Sequence, residues 1–368
     1  MSFASPDPAP HAAPASPELD AWDGPLLRAG ERFLGALARP LDDADPGGLV
    51  RGPSRLLCSA LGLVSQLCYG ACGGRDEADE VGLAGAQLAL LTKLDDEVID
   101  APAFHGAGRW PGRARLRAKV LAYLEPTRLS LRAGRPATAE PRARFAASLG
   151  ARFAALAASP ARLGHLLDVV EEGFRVQADA VAILSAPPAA VSLGEVADVT
   201  ARISGAWLLM IALAGTLPRD ARPLSPEAEA LFYAWGWHVQ RADALCDLAK
   251  DLGDGLGSTY PLRLLWAHDA ALYRRSLASG PAEVYRQLGA FGFDRACLPE
   301  PGEIEALARR SARLGALPSL FRWVQGMLAH RYARHRLARP SARFDGGEGA
   351  ASFDRFVAGV GGAPCSAR

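Results

Sequence analysis

Cysteine is scarce in this sequence and never closely paired. Six cysteines occur in 368 residues, none in a CxxC arrangement. Cys58, Cys68 and Cys72 are near neighbours, but no histidine completes a zinc-binding spacing. That excludes a zinc module and a disulfide framework, and fits buried reduced thiols in a cytoplasmic protein. No sign of charge dominates: 41 Lys and Arg face 40 Asp and Glu. No global field therefore favours nucleic acid. The one basic stretch, Arg331 to Arg343, reads either as a solvated helix end leading into a tail or, in part, as a phosphate-binding segment. The N-terminus lacks a basic region followed by an apolar core, so no signal peptide is expected. The strongest apolar run, Ala206 to Leu217, is too short to cross a bilayer, and a soluble protein is expected. Alternation with period two never lasts for the length of a strand, and no repeat of fixed period appears.

What is present is helical periodicity in almost every segment, with 49% hydrophobic residues to fill a core. Helices are predicted over 22–38, 52–72, 77–101, 112–132, 140–158, 160–184, 192–216, 225–253, 258–277, 281–291, 302–314 and 317–338. The breaks fall where Pro and Gly cluster, as at Pro187-Pro188 and from Gly253 to Pro261. The fold class is therefore all-α. Residues 1–20, rich in Pro and Ala, read as a disordered leader, 21–340 as a single α-helical domain, and 341–368 as a mostly flexible tail with a short amphipathic piece over Phe353–Val360.

Two acidic clusters stand inside this apolar pattern. The first is Asp95-Asp96-Glu97-Val98-Ile99-Asp100; the second comprises Asp243, Asp247 and Asp251. Carboxylates on helices this apolar are costly unless cations or donors satisfy them. Residues four apart share a helix face, so Asp96 and Asp100 point one way, and Asp243, Asp247 and Asp251 follow one another with modest drift. Two such faces turned toward each other would line a site with oxygen. Mg²⁺ prefers oxygen and is commonly held by one or two carboxylates plus substrate phosphates, which makes a diphosphate substrate the natural reading. The ordinary alternative for a DDE run is an exposed helix terminus.

These residues resemble the class I isoprenoid synthase superfamily, whose members are α-helical bundles around a central cavity with an aspartate-rich motif on each of two facing helices. Within it the squalene and phytoene synthase family offers the longest match, over about residues 80–265. Its DELVDGP motif corresponds to DEVIDAP from Asp96 to Pro102, and its QxxNxxxDxxxD motif to Gln240, Asp243, Asp247 and Asp251. The segments around Gly173–Gln177 and Thr200–Gly205 occupy comparable positions between the motifs. Lys93 keeps a cation where that family has arginine, whereas its second-motif arginine is Cys246 here and its tyrosine before the glycine bend is Val196 or Val199. Terpene cyclases share some of the same residues: Asp95, Asp96 and Asp100 as DDxxxD, Asp243, Asp247, Lys250 and Asp251 as the second motif, Arg331-Tyr332 as a C-terminal pair, and Arg202 as a diphosphate sensor. Chain-elongating prenyltransferases often show Thr-Tyr-Pro-Leu, found at Thr259–Leu262, but would need acid at Ala244.

The resemblance implies Mg²⁺-assisted departure of diphosphate from an allylic prenyl chain. It assigns metal binding to Asp95, Asp96, Asp100, Asp243, Asp247 and Asp251, with Asp96, Asp100, Asp247 and Asp251 essential to catalysis. Lys93, Arg175, Arg202, Gln240, Lys250, Arg331 and Tyr332 are the candidates for substrate binding, with Gln177 as a supporting donor. Phe174, Trp207, Phe232, Trp235 and Trp237 could line a cavity that shields a carbocation, though aromatics at helical spacing are more often core. His238 is either a proton acceptor or a hydrogen-bonded histidine. The expected activity is condensation of prenyl diphosphates. The alternatives are cyclisation of one such substrate, farnesyl or geranylgeranyl diphosphate, and a catalytically silent relative acting as a binding or assembly protein. The expectation includes no nucleic-acid partner and no transmembrane segment, and admits a homodimer and peripheral membrane contact for an apolar product.

Overall fold

The computed structural model describes residues 22–50, 52–105 and 112–337. The predicted leader, the tail with Phe353–Val360, and the basic stretch beyond residue 337 lie outside them. The helices are α1 (Asp23–Ala44), α2 (Gly52–Ala60), α3 (Gly62–Ala71), α4 (Ala78–Ile99), α5 (Pro102–His105), α6 (Arg113–Ala133), α7 (Pro141–Leu156), α8 (Pro160–Leu184), α9 (Leu193–Ala214), α10 (Pro226–Cys246), α11 (Leu248–Gly253), α12 (Tyr260–His268), α13 (Ala270–Ser279), α14 (Pro281–Ala290), α15 (Phe293–Cys297), α16 (Pro301–Arg310) and α17 (Leu317–Leu337). No strand occurs among the described residues. The all-α expectation holds, and most predicted ends lie within two residues of those observed.

The differences have local causes. α1 continues through Pro40 because Leu37 and Leu41 are wholly buried, so packing outweighs the lost helical hydrogen bond. The predicted 258–277 helix divides at Asp269, whose carboxylate accepts from Ala271 N (2.7 Å) and Leu272 N (3.0 Å) and starts α13 afresh. The predicted 52–72 helix divides at Leu61. Next to it Gly62 packs against α4 so closely that a Cβ would lie 2.3 Å from the Gly82 carbonyl oxygen. The predicted 225–253 helix is interrupted at Asp247, which closes α10 and opens α11 with φ −91° and ψ 4°.

α4 and α9 are the inner helices. α4 is buried from Val81 to Leu94 on most sides, and α9 packs between α8 and α10. α9 is long and apolar enough to cross a membrane by length and composition, unlike the shorter run read from sequence, but 61% of its apolar window is buried inside the bundle. The α9–α10 contact is tightest at two glycines. A Cβ on Gly236 would sit 2.2 Å from Gly205 N, and one on Gly205 would sit 2.7 Å from Tyr233 Cα. This backbone-to-backbone approach fixes α10, and with it the second acidic cluster, against α9. One large core fills the bundle, and a second surrounds the end of α10, α12 to α15 and α17. The five described cysteines are buried and unbridged.

Candidate active site

α4 delivers the first acidic cluster from a buried stem. The helix ends at Ile99, Pro102 follows two residues after Asp100, and the His105 ring donates to the Ile99 carbonyl (2.8 Å), closing the terminus. Lys93, Asp96, Glu97 and Asp100 occupy successive turns. Lys93 Nζ lies 2.7 Å from Asp96 and 3.1 Å from Glu97, and Gln177 on α8 donates to the other Asp96 oxygen at 3.1 Å. Burial acts to lower the Lys93 pKa, but Asp96 and Glu97 overcome it and hold the ammonium charged.

The second cluster follows the α10–α11 junction, with Asp243 on the last turn of α10, Asp247 at the break and Asp251 on α11. Arg331 of α17 donates to Asp247 and lies 3.8 Å from Asp243, while Lys250 pairs with Asp254 at 3.2 Å.

The two clusters lie within electrostatic reach of each other. Burial pushes Asp100 well above the usual carboxylate range; Asp96 adds to this, as does Asp251 from the opposite cluster, while Lys250 and Lys93 oppose it. Asp243 is pushed up to about 7 by burial and by Asp247, against Arg331, Lys93 and Lys250. Asp251 rises to about 8 by burial, then Asp247 and Asp243, against Lys250. Lys93 of α4 thus acts on Asp243 of α10, and Lys250 of α11 on Asp100. Asp243 still keeps 38% of its side chain accessible and Asp96 32%. These carboxylates are thus desolvated yet still reachable from solvent.

Several predicted site residues lie elsewhere. Asp95 turns away from its neighbour Asp96 and meets Arg142 of α7 at 3.0 Å, with both side chains buried. That guanidinium also donates to the Tyr123 carbonyl (2.9 Å) and lies 3.8 Å over the Tyr123 ring. Arg202 pairs with Glu172 (2.6 Å) and Asp198 (3.3 Å), and Arg175 with Glu172 (2.8 Å) and Glu171 (3.3 Å), so both belong to an ion network along α8 and α9. Tyr332 is buried in the second core and donates to Asp294 at 3.0 Å. Gln240 accepts from Ser204 of α9 one turn before Asp243.

Among the aromatics, Trp207 is half-buried and donates to Thr92 (2.9 Å), the residue beside Lys93. Trp235 donates to Ser311 (3.1 Å) and, with Phe232, packs on Phe321, while Phe174 belongs to the same large core. Trp237 packs against Tyr260 with Arg241 over its ring. His238 accepts from Arg241 at 2.7 Å, and burial with that neighbouring charge lowers its pKa to about 4. Arg142 and Asp254 were missed from sequence. Asp254 lies four residues after Lys250, a spacing that signals an ion pair; Arg142 carries no local sign of its distant partner.

The donor set suits a hard divalent cation: the oxygens come from two facing helices, and burial and mutual repulsion leave them short of positive charge. Among the described residues no three Asp, Glu, His or Cys side chains come close enough to cage a metal unaided.

No protein-family model matches the chain, and no curated protein does. Solved structures that align with it include a polyprenyl synthase from Caulobacter crescentus CB15 complexed with calcium and isoprenyl diphosphate (17% identity, 86% of this chain, 98% of that chain, TM-score 0.42). A geranylgeranyl pyrophosphate synthase aligns at 14% identity over 91% of this chain and 98% of its own, with TM-score 0.39. A polyprenyl synthetase from Streptomyces coelicolor A3(2) aligns at 15% identity over the same shares, with TM-score 0.37.

Proposed function

We propose that this chain is a divalent-metal-dependent isoprenoid synthase that ionises a prenyl diphosphate, with condensation of two such substrates as the first reading. The observation that carries it is the mutual reach of two acidic clusters on α4 and α10–α11, with Lys93, Lys250 and Arg331 among them. Asp96 and Asp100 would hold Mg²⁺ on one wall and Asp243, Asp247 and Asp251 on the other, the ion supplying charge stabilisation for a departing diphosphate. Lys93, Lys250 and Arg331 are the side chains able to turn from their acids to the diphosphate oxygens. Gln177 orients Asp96 by its hydrogen bond. Trp207, beside Thr92, offers a ring face to an allylic cation.

Two placements favour condensation over cyclisation. Asp95 is committed to Arg142, which leaves the Asp96–Asp100 pair without the leading acid of DDxxxD, and Arg202 is committed to Glu172. One contact favours cyclisation: Arg331 reaches the second cluster, as the C-terminal arginine of a cyclase would. The test is incubation with farnesyl and geranylgeranyl diphosphates and Mg²⁺, reading diphosphate release and product carbon number. Doubled carbon number supports condensation and unchanged carbon number supports cyclisation. No release with either substrate would sink both and leave the silent-relative reading. Asp96→Asn and Asp247→Asn should each abolish turnover with the helical circular dichroism intact; full activity in either variant refutes the metal assignment.

A further inference from the structure

Arg263 is a buried cation without a counter-ion in contact. It lies on the first turns of α12, is 6% exposed, and its Nε and Nη1 have no hydrogen-bond partner among the described residues. Among the described residues, Tyr273 and Glu195 are the groups that act on it electrostatically. Glu195 is already taken by Arg113 (2.8 Å) and by the Ser192 backbone N–H (2.8 Å), and the Tyr273 hydroxyl donates to the Gly257 carbonyl (2.7 Å). A buried charge left this way is costly, so a partner is expected.

The surroundings indicate what kind of partner. Arg263 stands four residues after Thr259, a spacing that puts the two on one face of the helix start. Thr259, the residue preceding that helix, is 2% exposed, and its hydroxyl neither caps the helix nor meets another partner among the described residues. Pro261 has no N–H, and the N–H groups of Tyr260 and Leu262 have no acceptor within their own helix. The end of α8 is held against the same loop: Ser258 N donates to the Leu184 carbonyl (3.0 Å) and Ser258 Oγ to the Ala186 carbonyl (2.6 Å). Ser185, between those two anchors, is 4% exposed and also has an unpartnered hydroxyl.

We infer that the junction of α8, the 257–259 loop and the start of α12 binds a phosphate-type oxyanion, with Arg263 as its cation and Thr259 and Ser185 as hydroxyl donors. A guanidinium, hydroxyls and the free N–H groups of a helix start are the donors that a tetrahedral oxyanion takes. The site is separate from the acidic recess, since no acid of either cluster acts on Arg263. The inference does not rest on the proposed reaction.

The experiment is a metal-free titration of the full chain with inorganic phosphate, in EDTA, followed by thermal unfolding. Phosphate should raise the midpoint of the wild type and of Arg331→Met, and the shift should vanish in Arg263→Met. Without phosphate, Arg263→Met should melt no lower than wild type, because it removes an unpaired buried charge. Thr259→Val, nearly isosteric, should weaken phosphate about tenfold while keeping the basal midpoint. A parallel titration with O-phosphoserine separates a free from an esterified phosphate ligand, and tighter binding of either supports the site. No shift in wild type, a shift that survives in Arg263→Met, or one lost in Arg331→Met instead would overturn it.

Discussion

Replacing Asp95 by Asn separates a structural carboxylate from a metal-binding one, and the structure sets the size of the effect. The Asp95 side chain is 3% exposed, and one of its oxygens has no partner among the described residues. Burial pushes its carboxyl up to about 7, against the opposing pull of Arg142. The folded state therefore holds this proton more tightly than the unfolded chain, whose carboxyl titrates near 3.8. A group raised in this way contributes stability below the unfolded value, and the contribution is lost as pH rises through the folded one. A shift of that size at about 1.4 kcal/mol per unit corresponds to about 4 kcal/mol between pH 4 and pH 7. Urea unfolding of wild type and Asp95→Asn at half-unit pH steps isolates the effect, because the other titrating acids cancel in the difference. The stability advantage of wild type over the variant should shrink by about that amount across the window and level off above it. Arg142→Met, which removes the opposing pull, should move the wild-type decline to higher pH. Asp95→Asn should retain turnover in the prenyl diphosphate assay, whereas Asp96→Asn should not. A flat or rising difference curve, or loss of turnover in Asp95→Asn with the fold intact, would refute the assignment of Asp95 to Arg142.

Other consequences follow from single contacts. Gly236→Ala forces a methyl onto the backbone of Gly205 and should cost about 1–3 kcal/mol or more in urea unfolding, with activity falling as the second acidic cluster shifts. Burial and Arg241 lower the His238 pKa, so the stability of wild type relative to His238→Asn should fall as pH drops from about 6.5 toward about 4. Mg²⁺ with inorganic diphosphate should raise the unfolding midpoint, by about 2.7 kcal/mol of stabilisation at a hundredfold excess over Kd, and diphosphate in EDTA should raise it far less. An equal rise in EDTA would count against metal-bridged binding.

Periodicity located the inner helices because burial on all sides leaves a plain signature, as in Val81–Leu94 and Leu208–Ala214. The paired spacing of Asp96 with Asp100 likewise predicted which oxygens share a face, and those two act on each other in the fold. Position 95 was different. Adjacent helical residues diverge by about 100°, so sequence could show that Asp95 and Asp96 face different ways but not which neighbour each meets. Arg142, 47 residues later, decides it. The acid partners of Arg175 were legible, since Glu171 and Glu172 lie four and three residues before it on the same helix, whereas Arg202 meets Glu172 only after α8 and α9 have packed. Breaks showed the same limit. Asp269 carries a capping residue type that sequence could have used, whereas the interruption at Asp247 has no Pro or Gly to announce it.

The charge balance of the recess bears on the order of events in the proposed reaction. Lys93 is held between Asp96 and Glu97, Lys250 by Asp254, and Arg331 by Asp247 and Asp243, so each cation is already engaged. The acids outnumber them, and burial together with the neighbouring acids makes Asp100, Asp243 and Asp251 hold protons more tightly. A bare diphosphate would meet net negative charge there, with every cation obliged to abandon a carboxylate to greet it. A divalent cation reverses that balance, because it competes for the same carboxylates and frees Lys93, Lys250 and Arg331 to face an anion. On this reading the diphosphate enters with its metal ions or after them. The same cations that neutralise the resting site then become the donors that stabilise the leaving group.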